Sequence, residues 1–219
     1  MAVIEGGVSG ALVGVGAESS SPLHIALKPI PHGALGHYRT AVRISSTAAQ
    51  VANSRIFEIR NTHASNLIVP TRLTLRALQT AAGTAQENSL DVYKLTGFTV
   101  VDTTNTVTPA TSVKRANMAA YPGGAAVRYL TLTGAAAGMT GGTLVKDAQF
   151  FATLPYNVAA AIATTSQWGP YDCLDDVNGT HPFVFAQNEG LVIENRVFNV
   201  TSYGITWYID FSWAEVTAY

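Results

Sequence analysis

The stretch Y-G-I-T-W-Y-I-D-F-S-W-A-E-V, residues 203–216, decides the fold class. Ile205, Trp207, Ile209, Phe211 and Trp213 alternate with Thr206, Tyr208, Asp210 and Ser212. Successive side chains of a strand point to opposite faces, so one face here is an aromatic and aliphatic wall and the other is polar. The pattern predicts a core strand whose second side is solvated or interfacial, with Trp207 and Phe211 turned into the core.

The same period runs outward from this segment. In 71–78, Leu73, Leu75 and Ala77 share one face and Arg72, Thr74 and Arg76 the other. In 126–134, Leu130 and Leu132 oppose Tyr129, Thr131 and Thr133. Further strands are expected at 24–29, 38–45, 55–61, 90–95, 149–154, 183–186 and 190–197. Turn-rich runs separate them: HGALG, NTHASN, AAGTAQENS, DTTNTVTPATS, TGAAAGMTGG and DDVNGTHP. Only 158–163 and 116–120 leave room for a few helical turns. About ten short strands without a long amphipathic helix indicate an all-β, antiparallel β-sandwich, and double sheets of this size are commonly jelly rolls. No internal repeat stands out, and residues 23–219 read as one domain.

Residues 1–22 read differently. Gly6, Gly7, Gly10, Gly14 and Gly16, then Ser19 to Ser21, give neither a helical stripe nor strand alternation, so a flexible N-terminal arm is expected. It is either ordered against a neighbouring subunit or a frayed end. A secretion signal is not expected here, because the segment has no basic beginning, carries Glu5 and is rich in Gly. The sequons at Asn178 and Asn199 are then chance matches.

Composition narrows the function. Of 219 residues only 12% are charged, about half the usual quarter of a soluble domain, and 47% are hydrophobic. With 32 Ala, 25 Thr and 19 Gly, the apolar fraction is carried largely by small residues. Such a neutral coat suits a chain whose surface is largely covered by other subunits. The net charge of −1 argues against nucleic acid as the main partner, and no apolar run approaches a membrane span. The charges are segregated. Lys28, Arg39, Arg43, Arg55, Arg60, Arg72 and Arg76 face only Glu58 in 28–86, whereas Asp172, Asp175, Asp176, Glu189, Glu194, Asp210 and Glu215 face only Arg196 in 171–219. Two readings stand: cross-strand ion pairs inside one subunit, or attraction between adjacent subunits of a homo-oligomer, a trimer being preferred.

Chemical motifs are scarce. His24, His32, His37, His63 and His181 sit in no metal spacing and read as hydrogen-bonded loop or edge histidines. Cys173, the only cysteine, excludes a disulfide framework and reads as an inert thiol, although His181 follows eight residues later. The pair Gly14 and Gly16 lies in the arm, outside any strand-to-helix dinucleotide turn. Asp172, Asp175, Asp176 and Asn178 cluster as in a hard-cation loop, but without the EF-hand spacing, and a polar turn explains them equally. Glu189 and Glu194 do not stand out as an acid–base pair. Tyr121, Tyr156, Trp168 and Tyr171 lie beside Pro or Gly, where they could stack on sugars or anchor an interface. No catalytic, cofactor-binding or metal residue is assigned, and the chain reads as non-enzymatic.

The segments IALKPIPHGALGHYRTAV and NSRIFEIRN, with HPFVFAQNEGLVIENRV and GITWYIDFSWAEV, resemble a group of β-rich proteins encoded among the virion genes of tailed bacteriophages. The resemblance covers 24–61 and 181–216; residues 80–180 match only in strand-and-loop rhythm. It transfers no chemical role to any residue. It implies a virion structural protein assembled in the host cytoplasm, and does not distinguish head from tail. Together with the composition, the expectation is a capsid-associated decoration or cement subunit contacting the major capsid protein. The alternatives are a tail or baseplate component, or a carbohydrate-binding module touching the host surface.

Overall fold

The computed structural model describes residues 3–6, 11–14, 35–46, 49–109, 113–114, 125–131, 137–161, 166–174, 183–197 and 204–217. Their regular structure is all β. The strands in chain order are β1 (Val3–Gly6), β2 (Ala11–Gly14), β3 (His37–Ser46), β4 (Ser54–Asn61), β5 (Leu67–Gln79), β6 (Gln86–Leu95), β7 (Thr106–Val107), β8 (Val113–Lys114), β9 (Ala125–Leu130), β10 (Ala152–Val158), β11 (Ser166–Asp172), β12 (Gly190–Asn195) and β13 (Ile205–Val216).

Two antiparallel sheets form a sandwich. One has the order β11-β5-β13-β3-β8, the other β10-β6-β12-β4-β9-β7. Four pairings are nested: β3 with β13, β4 with β12, β5 with β11 and β6 with β10. The chain therefore runs out and back as one long ribbon that is wrapped into two layers.

β13, at the centre of the first sheet, sets the core. Trp207 stands between Ile44 and Ala77, Ile209 between Val42 and Leu75, and Phe211 between Thr40 and Leu73. All these side chains point inward and are buried. The two layers meet through aromatic rings: Phe57 lies 6.2 Å from Phe211, and Tyr156 lies 5.9 Å from Trp168. Full burial of each large apolar side chain stabilises by roughly 1.5–3 kcal/mol. The inward turn of Trp207 and Phe211 is as the alternation predicts.

Several expectations shift. Residues 1–22 are not strandless, since β1 and β2 pair antiparallel with Ile4 opposite Val13. Backbone hydrogen bonds close such a hairpin without any period-two alternation, and no strand of the two larger sheets pairs with it. The strand expected at 149–154 is β10, displaced toward the C-terminus, and Val158 ends it where helical turns were allowed. Pro155 is accommodated because β10 is an edge strand, where a missing N–H costs no ladder bond. β11 was not anticipated: Gly169 and Pro170 resemble a loop, yet they lie on the edge of the first sheet. Residues 183–186 contribute only a bridge from Phe185 to Ile68, and the strand expected at 126–134 ends at Leu130. The segments 24–29 and 116–120 lie outside the described residues.

The long connection from β6 to β10 is more than a loop. Val100 bridges Thr143, Thr104 bridges Thr140 and Leu95 bridges Lys146, so its two limbs pair with one another and with the sheet end. Leu95, Phe98 and Val192 form a second small core beneath it, with Tyr93, Val101 and Leu144 packed around them. The connection roofs the outer face of the second sheet.

Candidate functional site

The roofed sheet and the sheet opposite it each carry a polar site. Under the roof, Glu58 of β4 is fully buried, and its Oε1 accepts the backbone N–H of Asp102 at 2.7 Å. Asp102, also fully buried, accepts Gly142 N–H at 2.7 Å and meets Arg55 Nη2 at 3.1 Å. Glu58 Oε2 and Asp102 Oδ2 meet no hydrogen-bond donor among the described residues. Burial, reinforced by the neighbouring charge of Asp102, pushes the Glu58 carboxyl up from 4.5 to about 8. A bulge makes this grouping possible. Ile193 faces Phe57 and Glu194 faces Arg55, leaving Ile56 unopposed, so Arg55 and Glu58 share the outer face that strict alternation would deny one of them. Nearby, Lys146 Nζ donates to Glu194 at 2.6 Å and lies 4.3 Å from the Tyr93 ring centroid.

The outer face of the first sheet is covered at one end, where Leu67 and Val184 pack against Val69, Ala214 and Val216, and is open around Ala41 and Arg43 among the described residues. Register stacks its side chains in rows. Arg43, Tyr208 and Arg76 form one row, Ala41, Asp210, Thr74 and Asp172 the next, and Arg39, Ser212 and Arg72 the third. The guanidinium carbons of Arg43 and Arg76 lie 6.0 and 5.3 Å from the Tyr208 ring centroid, a cation–π arrangement. Arg76 Nη2 also donates to Gln167 Oε1 at 2.6 Å. Arg39 grips Asp210 with two donors, Nε at 2.7 Å and Nη2. Ala41 and Thr74 are short, so the middle row sinks into a depression of about 330 Å³, walled by Pro170 on the β11 side. This arginine-lined face is the candidate functional site.

The residues singled out from the sequence are not brought together. His63 organises its own loop: its Nδ1 accepts from Asn66 N–H at 3.3 Å, and its backbone N–H donates to Asn61 at 2.9 Å. His37 Nε2 lies 2.9 Å from Thr71 Oγ1. Cys173 is half-buried against the core, and desolvation pushes its thiol up to about 12, far from thiolate chemistry near neutrality. Asp172 caps the backbone N–H of Leu174 at 3.2 Å, and its three companions in the cation reading lie outside the described residues. Among the described residues no group of three or more His, Cys, Asp or Glu is placed to hold a metal ion. Glu189 accepts the N–H of Ala186 at 2.9 Å in the turn before β12, while Glu194 is committed to Lys146.

The loop aromatics require correction. Tyr156 is buried, its hydroxyl donating to Asn195 at 2.6 Å, and Trp168 is half-buried against it; of the singled-out aromatics among the described residues, Tyr171 is the exposed one. Edge strands, not loops, carry these residues. His24, His32, His181 and Tyr121 lie outside the described residues. On charge, Arg39 and Asp210 form the cross-strand pair between the basic third and the acidic quarter, whereas Arg43, Arg72 and Arg76 meet no carboxylate among the described residues. Both polar sites were missed in the sequence. Alternation alone assigns Arg72, Thr74 and Arg76 to one face and Tyr208 and Asp210 to another, and only register unites those faces.

No family model matches the chain, and neither a curated protein nor a solved structure matches it.

Proposed function

We propose that the chain is a non-enzymatic structural subunit of a bacteriophage virion, a decoration or cement subunit that attaches to the capsid and adds contact area between its neighbours. The fold proposed for it is a jelly roll. The four nested antiparallel pairings, which place four of the eight strands they join in each sheet, support that reading. Jelly rolls recur in viral capsid and lectin domains, and fold alone does not choose between these.

The asymmetry of the two outer faces carries the choice. One face is sealed by the chain's own connection, and the other exposes arginines that lack carboxylate partners among the described residues. A subunit that attaches through one face needs that division. The lectin reading draws less support, because Tyr156 is committed to the core. Self-association, with a trimer preferred, fits the low charge of the sequence, since 12% charged residues leave much neutral surface for neighbours.

Immunogold imaging of particles purified from the phage that encodes the chain tests the proposal. Dense label over the head is expected. Sparse label at one end assigns the chain to the tail or baseplate, and particles without the chain by mass spectrometry overturn the virion reading.

A further inference from the structure

We infer that the depression over Tyr208 docks an acidic segment of a partner polypeptide, with Arg43 and Arg76 taking its carboxylates. The inference rests on the reading of the chain as an assembly subunit and names the partner chemistry of its arginine-lined face.

The charge arrangement comes first. Arg43 and Arg76 converge on one ring from two strands, at 6.0 and 5.3 Å, and neither meets a carboxylate among the described residues. Arg39, on the same face, is already neutralised by Asp210. Two like charges held near one another gain most from an incoming anion. The planar guanidinium fork matches a carboxylate in two-point geometry. Tyr208 holds both stems in place, so less side-chain freedom is lost on binding.

Shape and spacing select the occupant. The depression is about 330 Å³, floored by Ala41 and Thr74, which suits single side chains rather than a nucleic-acid backbone. The row between the two arginine rows carries Asp210 and Asp172. A phosphate backbone, with one negative charge per roughly 1.7 Å of duplex axis, cannot avoid that acidic row. An extended peptide can. The rows at Tyr208 and Ser212 stand four residues apart along β13, roughly 13 Å at about 3.3 Å per residue. An acid over Tyr208 reaches Arg43 and Arg76, an acid four residues on reaches Arg72, which unlike Arg39 is not already paired with a carboxylate among the described residues, and the residue between them over the Asp210 row is neutral.

The test titrates the full-length protein with the N-acetylated, C-amidated peptide Glu-Thr-Ser-Thr-Glu at low salt, following chemical shifts of the arginine side chains. The same peptide with lysine in place of both glutamates and a single-stranded DNA dodecamer serve as comparison probes. Saturable binding of the two-glutamate peptide is expected, weakened at least tenfold in the Arg43→Ala/Arg76→Ala double variant and unchanged in Arg128→Ala on the other sheet. A partial loss is expected in Arg43→Lys/Arg76→Lys, which keeps charge and loses the fork. A matching near-UV circular dichroism spectrum verifies that each variant is folded. Absence of binding, or binding indifferent to the double variant, overturns the inference. Tighter DNA binding through the same arginines reassigns the face to nucleic acid and overturns it as well. Particle occupancy separates the two readings: normal incorporation of the folded double variant removes the docking site but leaves the virion role intact. Binding of the two-glutamate peptide by a chain missing from particles does the reverse.

Discussion

Glu58 on β4 accepts the backbone N–H of Asp102 at 2.7 Å, so one buried acid ties the roofing connection to the sheet beneath it. The bond comes at a desolvation cost that depends on protonation. Burial raises the Glu58 carboxyl to about 8 in the folded chain, so between its ordinary 4.5 and that value the folded state holds a proton the unfolded chain has released. Folding stability therefore falls as pH rises through this window and levels off above it. Glu215, raised by burial to about 7, acts with the same sign over a narrower range.

We predict that Glu58→Gln flattens this slope. Glutamine keeps an acceptor for Asp102 N–H and removes the titration. Urea midpoints at pH 5, 7 and 9 should decline for the wild type and decline only to about pH 7 for the variant, where Glu215 finishes titrating. The gain at pH 9 is on the order of a few kcal/mol. Parallel pH profiles for the two proteins would refute a buried, proton-holding Glu58.

Trp207 supplies a packing prediction. It is fully buried between Ile44 and Ala77, so Trp207→Ala removes a large volume from the centre of the sandwich and should cost about 3–5 kcal/mol. Its indole Nε1 meets no acceptor among the described residues, so Trp207→Phe should cost much less, leaving only a smaller cavity. Chemical denaturation of both variants checks the ordering. Equal losses would mean the indole N–H matters more than the volume.

Gly190 and Gly97 make a contrasting pair. A Cβ on Gly190 would stand 1.9 Å from the Ile59 carbonyl oxygen, inside the β4–β12 ladder, where backbone must move to admit it. A Cβ on Gly97 meets Val145 Cγ2 at 3.0 Å and Cβ at 3.1 Å; rotation relieves only the first, and the second asks Val145 to give by a few tenths of an ångström. Gly190→Ala should fail to fold or lose most of its stability, while Gly97→Ala should shift the melting temperature by only a few degrees, as for about 1 kcal/mol. Soluble expression and thermal melts of the two decide it.

Deletion of residues 2–21 removes the β1–β2 hairpin and no strand of the two larger sheets. The deleted protein should keep the near-UV spectrum of the full chain. In mixing with particles lacking the subunit, it should show lower occupancy than full-length protein. Equal occupancy and equal heat resistance would leave the hairpin without a role in attachment.

The sequence by itself determined the class of fold and the content of the core. Period-two alternation in 203–216 and 71–78 is local information, and it named Trp207, Phe211, Leu73 and Leu75 as inward residues because a pleated strand leaves them no other side. It also marked Arg76 and Tyr208 as outward. It could not bring them together, because which strands become neighbours is settled by long-range pairing, and β13 finds β3 and β5 only after most of the chain has passed. The bulge at Ile56 lies further beyond local reading: one unopposed residue moves Arg55 to the side of Glu58, and the roofing connection then buries both acids. Edge position likewise decided that the Pro155 and Pro170 segments are strands, since a residue without an N–H is tolerated where no further strand waits to bond. Composition and alternation act residue by residue. Register, bulges and edges depend on what stands alongside, and those relations placed the arginine face and the buried carboxyl pair.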